Sequence, residues 1–153
     1  MEDFYPYLFR TARVIDLKPL WLDSADLHRG IDRIISPACS PEASATVQER
    51  YRSEEHQHFQ DLNTHLWNYT SNQPGEIMKI EAQWLVFAYY KKDLSALTQC
   101  VAIRVPELFD NIYAGNIPEV INYNQKTHQS FMCFSIPLLK NLGILYEWGI
   151  YNT

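Results

Sequence analysis

The 153-residue sequence predicts an α+β fold, a mostly antiparallel β-sheet packed against two or three helices in a single domain. Three observations lead there. Strand-like segments are joined by short polar turns into hairpins more often than they alternate with helices. A few helical patterns carry capping and stop signals of their own. The length is that of one domain, with no internal repeat, low-complexity tract or linker rich enough to divide it.

In chain order, "VIDLKPLWL" (14–22) resembles a short strand that Pro19 confines to an edge or ends early. Ser24 is a good N-cap for a helix over 25–35, whose Leu27, Ile31, Ile34 and Ile35 fall at helical spacing. "SPACSPEAS" ends it with two prolines and opens a loop to about 45. A longer helix is expected over 46–68, with Val47, Tyr51, Leu62, Leu66 and Tyr69 on one stripe and Phe59 at its edge. "TSNQPGE" breaks it. The strongest strand signal follows in "IMKIEAQWLVFAYY", where alternation holds up to Gln83 and both faces are apolar beyond it. "KKDLS" turns the chain into "LTQCVAIRV", an antiparallel hairpin partner. Pro106 opens a helical turn that Gly115 and Asn116 stop. "EVINYN" and "SFMCFS" read as strands around "QKTHQ". Ser135 and Pro137 begin a helix that Gly143 ends, and "ILYEWGIY" closes as a strand.

Composition excludes several classes. At 46% hydrophobic and 20% charged, the chain has neither a disordered nor a fibrous signature. A net charge of −5 and a pI near 5.5 argue against a large basic footprint for nucleic acid. The N-terminus does not read as a secretory signal, and no apolar run approaches the roughly 20 residues that cross a bilayer. Cys39, Cys100 and Cys133 are far apart and form no CxxC pair, which suggests reduced thiols, a cytoplasmic location and a meaningless glycosylation sequon at Asn68.

Candidate chemistry centres on "EEHQHFQDLNTHLW" (54–67). On a helix, Glu54, His58, Asp61 and His65 share one face, a donor set able in principle to hold a zinc-like metal. That face borders the apolar stripe, where histidines and acids commonly sit for no chemical reason, and the HExxH arrangement is absent. The wet flank of an amphipathic helix is the favoured reading, with a Glu54–His58 pair as local support. No nucleophile elbow, P-loop or dinucleotide fingerprint occurs, and Cys100 and Cys133 sit within apolar strand patterns. The chain therefore reads as no enzyme, with no catalytic residue, no metal ligand and no cofactor.

Aromatic residues, 14% of the chain, stand out instead. A concave binding site for a ligand or partner is expected from Trp84, Tyr89 or Tyr90, and Trp148, with Glu81, Lys91, Lys92 and Glu147 at its rim. The competing reading is that the tryptophans are core. A strand at 84–90 that is apolar on both faces needs cover, and helices over 25–35 and 46–68 cover only one thoroughly, so a homodimer is expected.

Three stretches carry a family resemblance. "DFYPYL" (3–8) followed by "LKPLWLDSADL" (17–27), then "IEAQW" (80–84), then "SIPLLKNLGILYEW" (135–148) resemble the opening, centre and ending of the RsaM family, bacterial repressors of N-acyl-homoserine-lactone quorum sensing. The chain departs from that pattern in lacking a glycine before the central tryptophan and a second tryptophan pair soon after it, where "VAIRVPELF" stands. The resemblance implies an α+β homodimer acting as a negative regulator, without cofactor or catalytic residue, through DNA, a protein partner or a ligand. The alternative expectation is an acidic binding inhibitor, an immunity protein or phage-encoded blocker docked on a basic partner.

Overall fold

The run "WLVFAYY", rich in β-branched and aromatic residues, is too apolar for a sheet face open to water and forms an internal strand. Around it the computed structural model, which describes residues 12–16, 33–37 and 45–149, builds an α+β molecule of two sheets. The first contains β1 (Ala12–Asp16), β2 (Arg33–Pro37), β3 (Ala45–Ser53), β6 (Trp84–Tyr90), β7 (Leu97–Arg104) and β10 (Leu145–Gly149), in the order β1-β2-β3-β6-β7-β10. The second contains β4 (Asp61–Asn68), β5 (Gln73–Pro74), β8 (Val120–Asn124) and β9 (Gln129–Ser135), in the order β5-β4-β9-β8. All neighbouring strands are antiparallel except β3 and β6, which run parallel. Three short helices, α1 (Glu76–Lys79), α2 (Val105–Tyr113) and α3 (Ile136–Asn141), join them, with a 3-10 helix at Glu54–Phe59.

The helix expected over 46–68 does not form. Its residues make β3, the 3-10 helix and β4. The spacing explains the error: Val47 to Tyr51 and Leu62 to Leu66 are each four apart, which puts a pair on one face of a helix and equally on one face of a strand. Between those pairs "EEHQHF" buries nothing. The helix expected over 25–35 is contradicted at its end, where Arg33, Ile34 and Ile35 belong to β2, and 25–32 lie outside the described residues. The strand expected from 77 begins only at Trp84, because Glu76–Lys79 form α1. Residues 17–22 and 150–151 of the expected first and last strands, and Cys39, also lie outside the described residues.

The later elements follow their signals. In α3 the Ser135 hydroxyl accepts from the Leu138 amide at 3.4 Å, and Gly143 takes a positive φ of 70° just past the helix end. Gly115 does the same after α2 with φ 76°. One core joins the sheets: Leu85, Phe87, Tyr89, Val101 and Ile103 of the first meet Leu62 and Phe134 of the second, closed by Val105 and Leu108 of α2 and Ile136 and Leu139 of α3. The opposite face of β6 is covered as well, since Val86 and Ala88, with Cys100 and Ala102 beside them, are at most 1% exposed. A single copy therefore buries both faces of this strand, and the need for cover that pointed to a homodimer is met within one chain.

Candidate functional site

Alternation along β6 divides the aromatics named from the sequence. Trp84, Val86 and Ala88 occupy one face, Leu85, Phe87 and Tyr89 the other. Tyr89 is 1% exposed in the core and its hydroxyl donates to the Asp61 carbonyl at 3.2 Å, so it lines no accessible site. Burial holds that phenol above its ordinary pKa, against the opposing charge of Arg52. Tyr90, half-buried, follows a register irregularity at the far end of the strand, roughly 20 Å from Trp84 at about 3.3 Å per residue. Trp148 stands in β10 opposite Cys100, which faces Ala88, four residues along β6 from Trp84. Tyr89 and Trp84 thus lie on opposite faces of β6. The expected rim disperses too: Glu147 is tied to Lys140 of α3 at 2.5 Å, and Lys92 to Glu55 at 3.2 Å.

Trp84 instead centres a different cluster. Tyr146 packs edge-on against it, with ring centroids 5.4 Å apart, and the Arg104 guanidinium lies 6.0 Å from the indole centroid. Arg104 is directly opposite Trp84 on β7, and Tyr146 faces Ala102 on β10, so three adjacent strands deliver the three side chains to one sheet face. Arg104 is also paired with Glu107 at 2.6 Å, in the first turn of α2. Trp84 is half-buried, while Tyr146 is 40% exposed. Sequence reasoning missed Tyr146 and Arg104. The signal for Tyr146 was present in "LYEW", where alternation puts Tyr146 on the face opposite Leu145 and Glu147.

The histidine-rich segment is dismantled by the fold. Glu54 and His58 fall in the 3-10 helix, Asp61 and His65 in β4, so the shared helical face does not exist. His58 Nδ1 contacts the Glu55 carbonyl at 2.6 Å, not the Glu54 side chain, and Asp61 pairs with Arg52. Among the described residues, no group of three or more His, Cys, Asp and Glu side chains is placed to hold a metal ion. His65 lines a polar cleft of about 250 Å³ between β3, β4, the turn into β5, and α1. Its ring packs on Phe131, and its amide donates to Glu76 Oε1 at 3.0 Å, the same oxygen that accepts from Arg50. Arg50 and His65 thus fix the Glu76 carboxylate as an acceptor joining the two sheets.

A second surface lies at β8, beyond which no described strand pairs in the second sheet. All five residues of β8 are exposed, Ile121 at 53% and Tyr123 at 52%. Tyr69 packs edge-on against Tyr123, whose hydroxyl is 2.9 Å from His128 Nδ1. An open groove of about 640 Å³ runs beside the edge, between Asn63, Asn122, Asn124, Lys126 and Phe131. The two described thiols are held protonated: burial pushes Cys100 up to about 11, and burial with the nearby Asp61 charge raises Cys133.

No protein-family model, curated protein or solved structure matches this chain.

Proposed function

We propose that the chain is a non-enzymatic regulatory protein of the cytoplasm that acts by docking on a protein partner, as a homodimeric negative regulator of N-acyl-homoserine-lactone quorum sensing. The observation that carries the docking role is the Trp84–Tyr146–Arg104 cluster. Tryptophan, tyrosine and arginine are the residues most enriched at the energetic centres of protein interfaces, because each joins a large apolar or planar body to a polar tip. Here they converge on one sheet face, with Tyr146 and Arg104 reaching solvent. The pathway rests on the RsaM-like stretches, one of which, "IEAQW", ends at Trp84.

Deleting the gene is expected to raise autoinducer in culture. Complementation with Arg104→Ala or Tyr146→Ala is expected to fail while both variants keep a wild-type melting curve. Unchanged autoinducer across growth phases removes the quorum-sensing reading. Full complementation by both variants removes the docking site. The net charge of −5 favours a second reading, an acidic inhibitor that covers a basic partner. Its mark is a toxin or phage operon beside the gene and binding that weakens steeply with salt.

A further inference from the structure

The edge of β8 lacks the devices that protect exposed strands. Within Val120–Asn124 there is no Lys, Arg, Pro or β-bulge, and no described strand lies beyond it in the sheet. We infer that this edge pairs antiparallel with β8 of a second copy, joining two four-stranded sheets into one of eight. The inference rests on the homodimer reading above and gives it a seam.

Symmetry and length select one register. When a two-fold axis relates two antiparallel strands, the residue on the axis meets its own copy. Only the register centred on Asn122 lets all five residues pair. It sets Ile121 opposite Tyr123 of the second copy, twice by symmetry, an aromatic with β-branched pair of the kind that stabilises sheets. Ile121 and Tyr123 stand opposite Met132 and Ser130, so they share the face of the sheet that bears Leu62 and Phe134. The seam thereby extends the apolar face of each core towards the other. On the reverse face Val120 of the second copy comes opposite Asn124, at the rim of the groove floored by Phe131. At the strand ends Glu119 meets Gln125 beside Lys126, so no like charges oppose.

Light scattering on the full chain is expected to give twice the 18.0 kDa chain mass at tens of micromolar. Ile121→Lys is expected to give a monomer with an unshifted melting curve at low concentration, since Ile121 is 53% exposed in one copy. Because the Asn122 amide lies 3.2 Å from Cys133 Sγ, cross-linking is read in a Cys133→Ala background. There Asn122→Cys is expected to oxidise to a covalent dimer, whereas Asn124→Cys, opposite Val120, and the background alone are not. A monomeric wild type overturns the inference and the homodimer reading together, leaving the edge to a strand from another protein. A dimer that survives Ile121→Lys and is not cross-linked through position 122 overturns the seam alone.

Discussion

Gly75 occupies a place with no room for a side chain. A Cβ there would lie 2.1 Å from the His65 carbonyl oxygen and 2.8 Å from the Leu66 nitrogen, both backbone atoms of β4. Retreat is blocked by the Gly75 amide, which donates to the Leu66 carbonyl at 2.8 Å. Gly75→Ala is expected to cost about 3 kcal/mol, read as a lowered urea midpoint with the slope unchanged. Cys100 shapes the alkaline limb of stability. Burial raises its thiol from an ordinary 9.0 to about 11, so between those values the unfolded chain releases a proton that the folded chain retains. Stability is therefore full below pH 9 and falls as pH rises through that window, by on the order of 2 kcal/mol. Cys100→Ala is expected to flatten the fall; equal slopes in the two proteins would show that other groups cause it. The buried thiols of Cys100 and Cys133 were legible in the sequence because each sits in an apolar strand pattern. Gly75 was read as part of a breaker, but its close approach to β4 was not legible, since no local pattern records which strand passes beside a turn.

Elements with chemical punctuation could be read, and those known only by spacing could not. The α3 helix announces itself through Ser135, Pro137 and Gly143, each tied to a backbone requirement at one helix end. Ser135→Ala is expected to cost about 0.5–1 kcal/mol and Ser135→Asp to restore most of it, measured by thermal melts. The hairpin of β6 and β7 was equally legible, because its apolar run outlasts any one-sided alternation. The segment from 46 to 68 was not, because spacings of four satisfy both helical and strand periods and no glycine or proline marks the corner at Gln60. Gln60 itself turns with a positive φ of 51°. This misreading moved the candidate site: with a helix at 54–65, four polar residues shared a face, whereas the strand leaves His65 beside Glu76 and scatters the rest. The Arg50–Glu76 pair now links β3 to α1, with side chains 25% and 16% exposed. Glu76→Gln is expected to cost about 1–2 kcal/mol, discounted for that partial exposure, in urea titrations at neutral pH.

At the scale of the molecule the sheets are interleaved along the chain. It passes from the first sheet to the second after β3, returns after β5, crosses again after β7 and returns after β9. The α+β class was legible from the hairpins, but the division into two sheets was not, because turns report which strands are consecutive and say nothing of which sheet they join. Interleaving predicts one cooperative transition, with tryptophan fluorescence and far-ultraviolet circular dichroism superimposing in urea. Separate midpoints would show that the sheets melt independently. The parallel pairing of β3 with β6 carries this into time. The hairpin of β6 and β7 closes across a short turn, but β3 meets β6 only after the thirty residues from 54 to 83 have been gathered, at an entropic cost of about 3 kcal/mol. That intervening chain includes β4, whose longer pairing, with β9, arrives later still from translation. A nascent chain therefore holds β3 with only β2 beside it and β4 with only the short β5, each with one edge open while the downstream strands are being made, and folding is set by long-range assembly more than by any local turn.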